Sequence, residues 1–252
     1  MRLDPILLEI LQIQMQAVTE EMAITLARTA RSTYVKDADD FATALVNNKG
    51  KFFAYPKNMG VSGFLDLDCS VAISKVGELE PGDVIITNHP YHSGGLATHM
   101  PDLQLIKPYF YNDQIVCFGW DFIHSADIGG GVPSSISPRF TELFQEGLQI
   151  PPMKLMKAGK LNRNFEVIYR ANCRVPDLNM GDIKAMLAAL TVGERRTSEL
   201  VERYGAGIFA EAQIATVDYA REKALAIQQK IPDGTYVFWD YMDDDFITHI
   251  PI

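Results

Sequence analysis

The sequence predicts an α+β protein: a long N-terminal helix, a central mixed or antiparallel β region broken by loops, and a C-terminal helical segment. Three observations predict it. Apolar residues recur at steps of three and four over residues 4–30, and again after residue 182, but not between. The middle instead holds short runs rich in β-branched and aromatic residues, separated by turn sequences. Four of the five histidines fall within residues 89–124, and polar stretches at 88–102 and 129–137 continue neither periodicity. The chain therefore divides into a helix (1–35), a β-rich region (36–150), a mainly helical region (151–235) and the start of a further β region (236–252).

The first helix opens on Asp4-Pro5, an N-cap residue followed by proline at the first helical position. Leu7, Leu11, Met15, Val18, Met22 and Leu26 share one face up to about residue 30. The Met15 and Met22 stripe reads as core packing. Residues 41–46 and 51–55 flank Asn47-Asn48-Lys49-Gly50, a hairpin turn. Pro81-Gly82-Asp83 turns into a strand at 84–87. Residues 103–106 and 114–123 read as two more strands joined near Asn112-Asp113. Residues 88–102 form a long loop, and Gly129-Gly130-Gly131 through Ser137 a second; long irregular loops in a compact domain are often functional. Asp182 is expected to cap a helix carrying Ile183, Met186, Leu187 and Leu190, weakened at Gly193. Another helix is expected over 208–229, stopped by Pro232-Asp233-Gly234. A strand at 236–241 follows. A strand needs neighbours, so the chain reads as the N-terminal part of a longer polypeptide or one piece of a split one.

With 252 residues, 47% of them hydrophobic, the chain can bury a sizeable core, and 22% charged residues argue against disorder. Acidic residues outnumber basic ones 32 to 23, a net charge of −9 that disfavours nucleic acid as a partner. Arg195 and Arg196 beside Glu194 read as a solvated helix face. Cys69, Cys117 and Cys173 form no CxxC pair and read as reduced thiols, mostly in the core. There is no signal-peptide pattern and no apolar run near the roughly 20 residues of a membrane span, so a cytoplasmic location and no membrane partner are expected.

The chemistry concentrates in the histidine-bearing span. His99-Met100-Pro101-Asp102 and His124-Ser125-Ala126-Asp127 begin and end alike. Pro101 disfavours a helix at the first, so His99 and Asp102 would converge from a loop. His124 stands where a strand runs out, a rigid place for a ligand. Imidazole with carboxylate suits zinc, manganese or iron(II). A single HxxD says little, and histidines of this kind also cap or bond loop backbone; Asp39 and Asp40 before Phe41 are more often turn carboxylates than ligands. Spacing leaves both readings open. Gly129–Gly131 with Ser134 and Ser135 could form an anion nest, although a plain tight loop is slightly favoured. No GxxxxGK[ST] or GxGxxG sequence supports nucleotide binding on this chain, and Ser93 lacks a nucleophile elbow.

The motifs taken together resemble the hydantoinase B family, over essentially the whole chain. They are Arg28-Thr29-Ala30-Arg31-Ser32 with Lys36 and Asp40-Phe41, then Pro81-Gly82-Asp83, Asn88-His89-Pro90-Tyr91, Gly94-Gly95 and His99-Met100-Pro101-Asp102. His124 through Gly130, Glu146-Gly147-Leu148, Pro151 through Leu155, Asn172 through Pro176 and Gly181-Asp182 continue the match. The superfamily includes N-methylhydantoinase B subunits, 5-oxoprolinases, caprolactamase and ketone carboxylases. The resemblance implies metal-binding loops holding one divalent transition metal, zinc or manganese with iron possible, on Asp40, His99, Asp102 and His124. It implies a catalytic carboxylate at Asp127, behind the ligands or facing the substrate.

The function implied is an ATP-dependent hydrolase that opens a hydantoin, oxoproline or lactam ring. ATP is used by a hydantoinase A-like partner subunit to phosphorylate the carbonyl oxygen of a small cyclic amide. The metal here lowers the pKa of a water that attacks it. The alternatives are a ketone carboxylase subunit of the acetone or acetophenone type, and a non-catalytic scaffold. Three departures from the family pattern touch the substrate side: His89 stands where the motif usually has aspartate, the stretch between Tyr91 and His99 is slightly expanded, and Lys57 through Gly63 lacks the usual histidine.

Overall fold

The computed structural model describes residues 3–57 and 67–240. The chain forms two compact units, Met1–Val217 and Asp218–Ile252. The first holds the sheet and the candidate site. The second carries the end of a helix and then an irregular stretch.

Helix α1 (Pro5–Thr29) starts as its sequence dictates: Asp4 Oδ1 accepts the N–H groups of Ile6 (3.0 Å) and Leu7 (3.2 Å). Leu11, Met15, Val18, Met22 and Leu26 are buried along it, so the methionines are core residues. After the short α2 (Thr33–Lys36), β1 (Phe41–Val46) and β2 (Phe52–Ala54) pair antiparallel around the predicted turn. Asn47 Oδ1 closes that turn by accepting from Lys49 and Lys51. Helix α3 (Ser70–Lys75) precedes β3 (Val84–Thr87), β4 (Asp102–Tyr111) and β5 (Gln114–His124). Asn112 and Asp113 make the β4–β5 turn at φ 48° and 60°, a left-handed pair those residues tolerate.

The sheet has seven strands in the order β2-β1-β5-β4-β3-β6-β7, with every neighbouring pair antiparallel. Both faces are covered. Cys117 and Ile123 of β5 join the core beneath α1 and α5 (Pro176–Tyr204), while Phe118, Trp120 and Phe122 join a second core with Leu96, Cys69 and Ala72. Burial on both sides is why β5 reads as a nearly continuous apolar run. Strand β4 extends past the predicted end at Ile106 to Tyr111, through Pro108. Pairing of β3 with β4 runs only from Ile85–Ile106 to Thr87–Gln104, so no β3 residue stands opposite Pro108 to need its missing N–H.

The region from residue 151 is mainly helical, as expected, but it opens on two unanticipated strands, β6 (Met153–Lys157) and β7 (Lys160–Leu161), and other details differ. Met-Lys-Leu-Met-Lys has no strand propensity of its own; pairing with β3 makes it a strand. Helix α4 (Arg163–Asn172) was not anticipated, and α5 begins six residues before Asp182. Asp182 is buried within α5, and its Oδ1 accepts from Arg31 N (2.6 Å) and Ser32 N (3.1 Å), steadying the chain at the start of α2 instead. Helix α5 runs on through Gly193. A Cβ there would stand 2.4 Å from Tyr109 Oη and 2.5 Å from Met22 Sδ, so the glycine admits the buried Tyr109, whose hydroxyl donates to Leu190 O. Helix α6 (Ala206–Gln228) matches its expectation. Residues 235–240 form no strand among the described residues, and the rest of the expected β segment, from Tyr241, lies outside them, as do residues 58–63 of the histidine-free departure. Among the described residues, no helix is long and apolar enough to cross a membrane.

Candidate metal centre

Antiparallel pairing brings three chain positions to one end of the sheet. Asp40 immediately precedes β1, Asp102 begins β4, and His124 ends β5 directly opposite Asp102. His124 N donates to Asp40 O at 3.0 Å, which fixes the third position to the second pair. His99 arrives by a turn in which Asp102 N donates to His99 O. Strand ends therefore set the spacing of three candidate ligands, and a tight turn adds the fourth.

The side chains converge. His99 Nε2 lies 2.8 Å from Asp102 Oδ1, and His124 Nδ1 lies 3.6 Å from Asp102 Oδ1 and 3.8 Å from Asp40 Oδ2. His99, Asp102 and His124 each offer a ligand atom within 4.8 Å of the others. Ligands at roughly 2.0–2.1 Å around a tetrahedral ion stand about 3.4 Å apart, a spacing that His99, Asp102 and His124 approach, while Asp40 stands outside that group with its Oδ2 3.8 Å from His124 Nδ1. The donor chemistry also fits, since two imidazoles and two carboxylates suit zinc, manganese or iron(II). His124 is almost fully buried, yet its Nε2 has no hydrogen-bond partner. The nitrogen that faces the two carboxylates is the other one, Nδ1.

The electrostatics have the same source. Burial opposes ionisation of Asp102, but hydrogen bonding from His124, His99 and Thr98 more than offsets it and holds the carboxyl well below the usual aspartate range. Thr98 Oγ1 donates to Asp102 Oδ2 at 2.6 Å. His99 moves upward: burial works against its charge, and the Asp102 contact, Glu146 and Asp40 overcome it. Asp40 is also raised, by burial and by Asp102, with His124 and His99 pulling the other way.

Asp127 behaves differently. Its Oδ1 accepts from Gly129 N (2.8 Å) and Arg174 Nη1 (3.2 Å), its Oδ2 from Ser134 N (2.9 Å) and Arg174 Nη1 (3.0 Å). Arg174 also donates to the carbonyls of Gly129, Gly130 and Val132, so the pair clamps the glycine loop as a structural knot. Burial raises the Asp127 carboxyl, and the Gly129, Arg174 and Ser134 donors lower it further than that. Such a carboxylate is a weak base, and both its oxygens are spent on the loop.

Sequence reasoning missed the supporting residues. Tyr34 lays its ring 4.7 Å from that of His124. Glu146 Oε2 accepts from Met100 N at 2.8 Å, beside His99. Buried Asn88 donates to Met100 O and Leu148 O and accepts from Ile150 N, tying the two loops together. Asn88 and Glu146 lie within motifs already conspicuous in sequence; Tyr34 carries no signal there.

Comparison with known proteins gives a consistent result. The family described as hydantoinase B/oxoprolinase matches residues 4–252. An uncharacterized protein of Methanocaldococcus jannaschii is 38% identical over 229 residues, covering 87% of this chain and 39% of that protein. Caprolactamase subunit beta of Pseudomonas jessenii is 31% identical over 235 residues, covering 92% of this chain and 40% of that subunit. The crystal structure of the ATP-dependent caprolactamase from Pseudomonas jessenii aligns with a TM-score of 0.79 at 30% identity, over 92% of this chain and 40% of the other. A nucleotide-free acetone carboxylase structure aligns with a TM-score of 0.78 over 91% of this chain and 31% of the other; at 18% identity it shares the fold. The chain thus spans about two fifths of the length of the first two relatives.

Proposed function

The chain belongs to the hydantoinase B/oxoprolinase family, and from that premise we propose that it carries the metal centre of an ATP-dependent hydrolase opening cyclic amides. The observation that carries this reading is the convergence of His99 Nε2 and His124 Nδ1 on Asp102 Oδ1, with Asp40 Oδ2 beside His124 Nδ1. When bound there, a divalent transition metal, zinc or manganese with iron as a third option, supplies a Lewis acid able to activate water near neutral pH.

The chain's own residues do the rest. Asp102, kept ionised and oriented by Thr98, presents a fixed anionic oxygen between the two histidines. Tyr34 packs on His124 and restricts its ring. Asp40 sits at the partly exposed edge of the set and holds its proton more tightly than a free aspartate; a cation beside it reverses that preference. Asp127 acts as a positioning residue, holding the glycine loop through Arg174.

An unactivated amide carbon resists water, and this chain shows no phosphate-binding loop sequence. The reading therefore includes a hydantoinase A-like ATP-binding partner that phosphorylates the carbonyl oxygen first, and relatives named as subunit beta support a multi-subunit assembly. Ketone carboxylation is the runner-up, supported by the shared acetone carboxylase fold. The polar surroundings of the ligands, Thr98, Ser125 and Glu146 among them, suit water better than the dry lining a carbanion needs.

The test is a reconstituted complex of the full-length protein, its partner, ATP and metal. It is assayed on hydantoin, 5-oxoproline and caprolactam, with acetone and acetophenone plus bicarbonate in parallel. Ring opening is expected. Bicarbonate fixation without ring opening would replace this reading with the runner-up.

A further inference from the structure

Met100 lies between the candidate ligands His99 and Asp102, and side chains from two other chain segments hold both of its backbone groups. Asn88, just past β3, donates its Nδ2 to Met100 O at 2.8 Å. Glu146, at the end of the 3-10 turn Leu143–Glu146, accepts Met100 N on Oε2 at 2.8 Å. Asn88 is fully buried and also bonds Leu148 O and Ile150 N, so it is bound into the fold as a whole. Glu146 is different. Among the described residues, Met100 N is the one hydrogen-bond partner of its carboxylate.

Glu146 can hold that bond because its own backbone is pinned on either side. Gly131 N donates to Gln145 O at 2.8 Å, and Leu148 N donates to Ile128 O at 3.0 Å. Between these bonds Gly147 turns the chain at φ 122°. A Cβ there would stand 2.5 Å from Ile128 O, so only glycine lets the two segments close up. The side chain therefore reaches Met100 from a fixed base, and an ionised acceptor makes a shorter, stronger bond than a neutral one.

The grip matters because of His99. Asp40, Asp102 and His124 stand at strand ends, where the ladder fixes the backbone. His99 has no ladder. The peptide unit that follows it is held at two points: His99 O accepts from Asp102 N at 3.2 Å, and Met100 N donates to Glu146. The first bond closes the local turn, and the second ties that turn to the body of the protein. Rotation of this peptide swings the imidazole, whose Nε2 lies 2.8 Å from Asp102 Oδ1. We propose that Glu146 is a positioning residue for His99: its bond to Met100 N sets the angle at which the imidazole enters the ligand set. This rests on the metal-centre reading above and adds to it the residue that anchors the ligand without a strand.

The test uses the full-length protein with zinc or cobalt(II) alone, and needs neither ATP nor a partner. Glu146→Ala removes the acceptor, whereas Glu146→Gln keeps an oxygen at the same reach and removes only the charge. Chelator competition should show zinc held about 10–100-fold more weakly in Glu146→Ala, and within about threefold of the wild type in Glu146→Gln, as for loss and retention of a group that orients a ligand. The visible absorption of the cobalt protein, which reports ligand geometry, should change in Glu146→Ala and not in Glu146→Gln. Exchange of the Met100 amide, followed by NMR on the metal-free protein, should quicken in Glu146→Ala alone.

Zinc affinity and a cobalt spectrum unchanged in Glu146→Ala would overturn the proposal. A tenfold or greater loss in Glu146→Gln would overturn it by itself, because the charge would then be acting and not the bond. Glu146-dependent zinc binding in a complex that opens no ring would uphold the positioning role while removing the hydrolase reading. Ring opening by a complex whose zinc affinity is unaltered in Glu146→Ala would do the reverse.

Discussion

The two tetrads His99–Asp102 and His124–Asp127 read alike in sequence and end in opposite states. In the first, the carboxylate stays with its own histidine at 2.8 Å and also faces His124. In the second, the carboxylate is pulled away by Arg174 and by the N–H groups of Gly129 and Ser134. One carboxylate lies among histidine nitrogens; the other has its oxygens saturated by loop donors. A buried carboxylate facing two imidazoles fits a ligand set, and one held by an arginine and loop N–H groups marks a structural knot. Four measurements would break or sharpen that contrast.

The largest effect is expected at the first tetrad. His99→Ala, His124→Ala and Asp102→Ala should each drop metal content from about one per chain towards zero, since losing one of four ligands from such a set removes most of the affinity. Elemental analysis after dialysis reads this directly, and full occupancy in both histidine variants would remove the metal assignment. Asp127→Asn, by contrast, should keep its metal.

Next comes Arg174→Ala. It leaves the Asp127 carboxylate in a protein interior with its main cation gone, which costs about 3–5 kcal/mol for a fully buried pair. The Arg174 side chain is 41% exposed, so solvent screening reduces the expected loss to roughly 2 kcal/mol. Denaturant unfolding should show that loss while elemental analysis shows the metal retained. Loss of metal with no loss of stability would invert the contrast between the tetrads.

Thr98→Val removes the 2.6 Å bond that orients Asp102 but no ligand. Removing a group that orients a ligand commonly weakens metal binding by about 10–100-fold. Competition with a chelator should show a shift in that range and no change in fold by circular dichroism.

The smallest effect tests the same accounting away from the site. Asp121, in the middle of β5, is fully buried and neither carboxylate oxygen has a partner. Burial pushes its pKa well above the ordinary value, so the folded chain holds a proton that the unfolded chain releases above about pH 4. Its contribution to stability is therefore greatest at low pH and falls as pH rises from the unfolded pKa towards the folded one. Asp121→Asn should stabilise the protein by about 1 kcal/mol near pH 8 and by less at pH 5. Thermal melts at the two pH values measure it, and equal shifts at both would remove the titration argument.

Much was legible in the sequence because it is local. The Asp4 cap, the methionine-bearing face of α1, the Asn47 and Asn112-Asp113 turns and the three central strands all follow from residues within a few positions of one another. The resemblance carried by the motifs pointed to Asp40, His99, Asp102 and His124, which the sheet does bring together. The rest was not local. Met153–Lys157 is a strand only because β3 offers it an edge, and α5 passes through Gly193 only because Tyr109 and Met22 fill the space a side chain would take. The role of Asp127 turns on Arg174, 47 residues later, and that of Asp182 on Arg31 and Ser32, about 150 residues earlier. Sequence by itself determined which residues were able to cap, turn, pack or bind a cation. Tertiary structure decided which carboxylates had their oxygens satisfied by distant donors, because a hydrogen bond is won by whichever partner the fold brings within about 3 Å.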